Sequence, residues 1–133
     1  MRVAWPELRG EGRGLLIKVS SLAGHDPLPG FLIDGSSKAA LASMARRCVN
    51  DAKCEGFEVR AFSICPGAVE TDLLRSVVDE TACPPEYCLQ PQNIGTLASA
   101  CAKGELDEHN GAEIYIRKDA AGEVQIEIPS FLT

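Results

Sequence analysis

Three side chains in the first third of the sequence could carry out proton chemistry: the hydroxyl of Ser21, the carboxylate of Asp34 and the amine of Lys38. Asp34 and Lys38 are four residues apart, so on a helix they would lie one turn apart, and the lysine charge would keep the carboxylate ionised. An ionised aspartate accepts hydrogen bonds and protons but donates neither. The set therefore suits a general base beside Ser21. The alternative is that Asp34 or Ser36 only caps the following helix.

Strands and helices in alternation are predicted to position these side chains. Strands are expected over residues 15–20, 57–65, 112–116 and 123–128, helices over 2–9, 36–53 and 92–103, a helical turn over 72–78 and loops over 10–14 and 22–35. Helices between apolar strands favour right-handed crossovers. The expected fold class is therefore α/β, with three parallel strands, crossover helices and a C-terminal β-hairpin. The chain is expected to form a single domain over residues 1–133.

Two polar segments follow predicted strands directly. Ser20 and Ser21 end one strand, and Pro66 and Gly67 end the next. In a parallel sheet the carboxyl ends of the strands share one rim, where ligands bind. We therefore expect these two segments to lie on the same rim.

Composition and charge argue against several classes of function. The net charge is −6 and the basic residues form no cluster, so nucleic acid is not an expected partner, because phosphate binding needs a basic face. No apolar run approaches the roughly 20 residues of a membrane span. The first residues lack a secretory apolar core, which predicts a cytoplasmic protein.

The thiols and imidazoles are scattered along the sequence. Six cysteines form no C-x-x-C pair, and only His25 and His109 could join them, so no metal site is expected. Reduced, half-buried cysteines are the main expectation. A disulfide between Cys83 and Cys88, which lie in a proline-rich loop, is the alternative.

Four segments resemble the short-chain dehydrogenase/reductase family. Residues 14–24 are similar to its fifth strand and catalytic serine, 36–41 to its catalytic helix, 60–73 to its sixth strand and nicotinamide loop, and 110–114 to the start of its seventh strand. They occur in the family's order and spacing, and the resemblance runs from residue 2 to about residue 118. It implies a Rossmann-like half-fold.

The resemblance also implies roles for individual residues. In the family a serine orients the substrate carbonyl, a tyrosine transfers the proton, and a lysine four residues later lowers the tyrosine pKa and holds the ribose. Ser21 and Lys38 have the matching separation, and Asp34 stands at the tyrosine position. NAD or NADP is the implied cofactor. The implied nicotinamide contacts are Lys38, Pro66, Gly67, Val69 and Thr71.

The family's dinucleotide fingerprint has no counterpart in this sequence. The run Gly10-x-Gly12-x-Gly14 precedes a strand instead of following one, which is the wrong context for a phosphate-binding turn. By resemblance, the dinucleotide-binding half would lie before Met1, so the isolated chain is expected to bind no cofactor.

The lost half would also leave apolar surfaces uncovered. Strand 15–20 would have an open edge, which invites another chain. Helix 36–53 carries small residues that permit close approach: Ala39, Ala40, Ala42, Ser43 and Ala45. A homo-oligomer or a complementary chain, joined through either surface, is therefore expected.

Three functions remain open. The first is a binding or assembly module without independent NAD(P)-dependent activity. The second is an oxidoreductase fragment or subunit that another N-terminal half completes. The third, less favoured, is a cofactor-free hydratase or isomerase that uses Asp34 as its base.

Overall fold

A computed structural model describes residues 2–27 and 29–130, so Met1, Leu28 and 131–133 of the predicted domain lie outside the described residues. The elements are α1 Ala4–Glu11, β1 Arg13–Val19, α2 Leu32–Glu55, β2 Glu58–Pro66, α3 Asp72–Val77, α4 Pro91–Lys103, β3 Glu113–Lys118 and β4 Val124–Glu127. Short 3-10 turns occupy Leu22–Gly24, Pro85–Tyr87 and Asp107–His109. None of the described helices is long and apolar enough to cross a membrane.

The strands form one sheet in the order β1-β2-β3-β4. β1 with β2 and β2 with β3 are parallel, while β3 and β4 form an antiparallel hairpin. The Asp119 carboxylate closes the hairpin loop by accepting hydrogen bonds from the N–H groups of Ala121 and Glu123. The predicted α/β class, with three parallel strands and a C-terminal hairpin, is confirmed.

Apolar side chains cover both faces of the sheet. On the α4 side the buried cluster contains Phe62, Ile64, Leu89, Leu97, Cys101, Ile114 and Ile116. On the side of α1 and α2 it contains Ala45, Cys48, Ala52, Phe57, Val59 and Ala61. Ala42 and Ala45, two of the small residues expected to face another chain, are fully buried within this chain. That expectation was therefore wrong for both, because small side chains are what lets α2 lie close to its own sheet.

Helix α2 begins at Leu32, four residues before its predicted start, so residues 32–35 are helical and not part of a loop. The cap position is Phe31, which makes no side-chain cap hydrogen bond. Two glycines allow the early turns to pack closely on the preceding segment. A Cβ on Gly35 would lie 2.8 Å from the Ala23 carbonyl oxygen, and one on Gly24 would lie 2.6 Å from the Ala39 nitrogen. The first turns of α2 therefore pack directly on the backbone after β1, a contact that leaves no cap signal in the sequence.

The predicted loop over residues 10–14 was also wrong. Gly10 lies within α1, Gly12 ends that helix with φ 70°, and Gly14 lies within β1. A Cβ on Gly14 would collide with the Leu8 side chain. Two of the three glycines therefore meet a local need: Gly12 gives the left-handed helix end and Gly14 allows close packing of α1 on β1, whereas Gly10 lies in open space within α1.

Asn110 joins β2 to the segment that leads into β3. Its Oδ1 accepts a hydrogen bond from the Ala61 N–H at 2.8 Å, and its Nδ2 donates to the Val59 carbonyl at 3.0 Å. The Gly111 N–H adds a bond to the Ala61 carbonyl at 2.9 Å. One side chain thus extends the β2–β3 ladder beyond the first paired residue of β3.

Candidate functional site

The carboxyl ends of the three parallel strands form one rim. The Ser20 N–H donates to the Ile64 carbonyl at 2.7 Å, and the Gly67 N–H donates to the Ile116 carbonyl at 2.8 Å. A Cβ on Gly67 would lie 3.6 Å from Leu22 Cδ1. The turn after Ser21 and the turn at Gly67 are therefore neighbours.

Two adjacent serines have different partners at this rim. Ser21 Oγ accepts a hydrogen bond from the Ala23 N–H at 3.1 Å and so begins the 3-10 turn. Ser20 is 5% exposed, and its Oγ donates to the Lys38 carbonyl at 2.6 Å. Ser20, which the sequence analysis gave no role, therefore ties the end of β1 to the helical turn that carries Lys38.

Asp34 and Lys38 both lie on α2, one helical turn apart. Asp34 is exposed in the first turn of the helix, and Lys38 is half-buried. The capping interpretation was wrong, because a helix that begins at Leu32 places Asp34 at its third residue and Ser36 further inside. The exposed Asp34 also lacks the deep burial that a proton-donating aspartate requires.

The loop after β2 is held by a short parallel bridge between Val69 and Leu89. The Leu89 N–H donates to the Ala68 carbonyl and the Glu70 N–H donates to the Leu89 carbonyl, both at 2.8 Å. In a parallel pair this pattern turns the N–H and C=O of Val69 away from Leu89. The N–H and C=O of Val69 therefore form an open main-chain edge. The Val69 carbonyl on this edge accepts a hydrogen bond from the Thr71 hydroxyl at 3.3 Å.

Thr71 and Pro66 both have structural roles in the loop after β2. Thr71 caps α3, because its Oγ1 accepts a hydrogen bond from the Leu74 N–H at 3.2 Å. Pro66 is buried at the end of β2. Each residue shapes the loop that was predicted to meet nicotinamide.

An ion pair holds the segment beyond this loop. The guanidinium of Arg75 makes two contacts with the Glu70 carboxylate and also donates to the Cys83 carbonyl at 2.9 Å. This guanidinium keeps the pKa of Glu70 below its usual value. The Sγ atoms of Cys83 and Cys88 lie 3.4 Å apart as free thiols, so the alternative of a disulfide is not realised here.

A polar cluster around the buried Glu113, beside the rim, was missed by sequence reasoning. The Oε2 of Glu113 lies 3.0 Å from His25 Nε2 and 3.4 Å from the Tyr115 hydroxyl, and its Oε1 lies 3.1 Å from Arg46 Nη1. Burial, and then the charge of Glu113, raise the pKa of Tyr115 to about 12 and that of the neighbouring Cys65 thiol also to about 12. Scattered single residues gave no signal for this cluster.

Comparison with known proteins identifies relatives of one family. A family model described as short chain dehydrogenase matches residues 1–82. An uncharacterised oxidoreductase of Listeria monocytogenes is 26% identical over 100 residues, which are 71% of this chain and 40% of that protein. An acetoacetyl-CoA reductase of Rhizobium meliloti is 25% identical over 118 residues, 89% of this chain and 45% of that protein.

Solved structures agree with this result. A 7α-hydroxysteroid dehydrogenase, complexed with NADH and 7-oxo glycochenodeoxycholic acid, superposes with a TM-score of 0.70 at 25% identity, over 83% of this chain and 45% of that one. The likeness confirms the predicted Rossmann-like half-fold. The chain spans less than half the length of each of these relatives.

The described residues are compatible with one end of the dinucleotide that such relatives imply. The main-chain edge of Val69 carries an N–H donor and a carbonyl acceptor, the groups with which a carboxamide pairs. The described residues offer no glycine-rich turn at this rim, because the glycines of residues 10–14 lie at the amino end of β1. Among the described residues, the main-chain edge of Val69 is therefore the feature suited to part of such a group.

Proposed function

The chain belongs to the short-chain dehydrogenase family, and from this premise we propose that it is a dehydrogenase-derived binding or assembly module without NAD(P)-dependent activity of its own. The observation that carries the proposal is the residue four positions before Lys38, which is Asp34 where the resemblance calls for tyrosine. The exposed Asp34 side chain has no phenol hydroxyl, and it lacks the deep burial that a proton-donating aspartate requires.

The two tyrosines of the chain do not replace the missing phenol. Tyr87 lies in the 3-10 turn Pro85–Tyr87, away from α2 in the sequence, and is 46% exposed. Tyr115 lies on β3, where its hydroxyl contacts His25 and Glu113. Its environment raises its pKa to about 12, which opposes proton transfer near neutral pH. Neither tyrosine therefore supports hydride chemistry at the Lys38 turn.

Exposed apolar surface supports the assembly role. Among the described strands, β1 pairs only with β2. Leu15, Leu16 and Ile17 are only partly buried there, although their run is typical of an interior strand, and Val19 is 50% exposed. A strand of this kind accepts a further strand along its open edge. We assign that edge to a complementary strand from another segment or from a second chain.

The same edge favours a second candidate function. If the partner strand belongs to a dinucleotide-binding half, the assembled protein is an NAD(P)-dependent oxidoreductase, and the Val69 edge and Lys38 contact the nicotinamide end. Asp34 would still weaken proton transfer in that assembly. The cofactor-free hydratase or isomerase keeps Asp34 as its base, but no described contact orients this carboxylate toward Ser21, so we favour it least.

Fluorescence titration of the purified chain with NADH and NADPH tests the first candidate. We expect no saturable signal, and saturation at micromolar cofactor would overturn the proposal. The second candidate is tested in a complex with a dinucleotide-binding half, where Asp34→Tyr is expected to raise turnover. Asp51→Tyr, at another exposed acid of α2, is the matched control, and equal rates for the two variants would reject the oxidoreductase.

The assembly surface has its own test, by light scattering across a concentration series. Val19→Lys places a charge at the open edge of β1 and is expected to lower the association constant. Val124→Lys, on the opposite edge of the sheet where Val124 is 40% exposed, is expected to leave association unchanged. Association that survives both changes would contradict the edge assignment.

As part of this proposal we also place the protein in the cytoplasm, in keeping with its free thiols.

A further inference from the structure

Four side chains with metal-binding atoms converge beside the rim. The ligand atoms of His25, Cys65 and Glu113 all lie within 4.8 Å of one another. The Tyr115 hydroxyl lies 3.3 Å from His25 Nε2 and 3.4 Å from Glu113 Oε2. The fold creates this arrangement, because Cys65 and Tyr115 are register partners on β2 and β3 and Glu113 precedes Tyr115 by two residues. His25 follows the turn after β1 and completes the group.

We propose that His25, Cys65, Glu113 and Tyr115 bind a divalent transition metal, with zinc as the reference ion. Imidazole nitrogen, thiolate and carboxylate are the donors that zinc prefers, at about 2.0–2.3 Å. In a tetrahedral site of that size the donor atoms are about 3.3–3.8 Å apart. The separations of 3.0, 3.3 and 3.4 Å among the His25, Tyr115 and Glu113 donor atoms lie at or just below this spacing. The Cys65 Sγ lies within 4.8 Å of the His25 and Glu113 ligand atoms, so a metal would need the histidine ring and the thiol to adjust around it.

The second oxygen of Glu113 is already held in place. Its Oε1 lies 3.1 Å from Arg46 Nη1, while its Oε2 faces His25. Ligating carboxylates are commonly fixed by such an outer partner, which orients the inner oxygen. Arg46 therefore directs Glu113 Oε2 toward the proposed metal and compensates part of its charge.

Access and shielding are unequal around the cluster. Cys65 is fully buried and Glu113 is 1% exposed, whereas the His25 side chain is 31% exposed. A metal would therefore enter on the side of His25, with that ring as the movable ligand. Without metal, the Tyr115 hydroxyl can donate to Glu113, so the protein does not need the ion to satisfy this carboxylate, and binding is expected to be reversible.

The test uses chelator-treated protein, titrated with ZnCl₂ in competition with a chromophoric chelator. We expect one ion per chain, with His25→Ala and Cys65→Ser each weakening binding at least about tenfold. The matched controls are Cys54→Ser, at an exposed cysteine, and His109→Ala, whose histidine pairs with Glu108. Both controls are expected to bind as the parent chain does.

A second measurement separates loss of the site from loss of the fold. Co²⁺ added to the parent chain should give thiolate-to-cobalt absorption, and Cys65→Ser should abolish it while His25→Ala keeps its far-UV circular dichroism. No stoichiometric binding by the parent chain would overturn the proposal. So would binding that is lost in Cys83→Ser, because the free thiols of Cys83 and Cys88 lie 3.4 Å apart elsewhere in the fold.

Discussion

Replacing Asn110 with alanine should destabilise the sheet by a predictable amount. Asn110 satisfies the N–H of Ala61 and the C=O of Val59 on β2, at 2.8 and 3.0 Å. These two residues are 0% and 4% exposed. Each hydrogen bond contributes about 0.5–1.5 kcal/mol net, so the two together predict a loss of about 1–3 kcal/mol. Asn110 itself is exposed, so water can partly replace its amide and keeps the loss within that range.

Urea unfolding followed by circular dichroism measures this loss. Asn110→Asp keeps the acceptor for the Ala61 N–H but sets a carboxylate oxygen against the Val59 carbonyl, so this variant should also be less stable than the parent. Asn50→Ala, at an exposed site on α2, should change stability little or raise it slightly, because alanine favours helices. If Asn110→Ala and Asn50→Ala agree within about 0.5 kcal/mol, the side-chain ladder does not support the sheet as argued.

Three further outcomes are expected. Gly24→Ala should lower the free energy of unfolding by about 1–3 kcal/mol, because its Cβ would lie 2.6 Å from the backbone of α2. Gly95→Ala, in open space on α4, should instead raise it by about 0.5–1 kcal/mol. Similar thermal midpoints for the two variants would refute this reasoning. The pKa of Glu70 is lower in the folded protein than in the unfolded chain. Its ion pair therefore stabilises the fold above the unfolded pKa, and this contribution is lost as pH falls through the folded pKa. The thermal midpoints of the parent and of Glu70→Gln should thus differ at pH 7 and converge in acid. Treatment with diamide, which takes up the two thiol hydrogens, should join Cys83 to Cys88 and lower the mass by about 2 Da; an unchanged mass at that peptide would count against their proximity.

The sheet could be predicted because its strands carry strong local signals. The apolar run of β1 and the abrupt end of β2 at Pro66 mark both strands, and helices between them favour a parallel crossover. The start of α2 could not be predicted, because Phe31 at the cap position makes no side-chain cap hydrogen bond and the first turn instead packs, at Gly35, against the Ala23 carbonyl. Local helix propensity does not reflect contacts with residues distant in the sequence.

For the candidate site, too, one part could be predicted from the sequence and another could not. The rim that joins Ser21 to Gly67 follows from parallel strands alone. The cluster around Glu113 does not, because His25 and Tyr115 are 90 residues apart and meet only through the register that pairs Cys65 with Tyr115. Ser20 was overlooked for a similar reason, since its partner is a main-chain carbonyl, which no sequence pattern records.

The bridge between Val69 and Leu89 also affects how this fold can vary. Residues 70–88 depart and return between two main-chain hydrogen bonds of 2.8 Å, so the excursion is closed at its base. Lengthening such a loop costs little closure entropy, about 0.6 kcal/mol for each doubling. Residues inserted into the exposed part of this excursion would therefore leave the end of β2 where it is, as long as Thr71 and the fully buried Cys88 are kept.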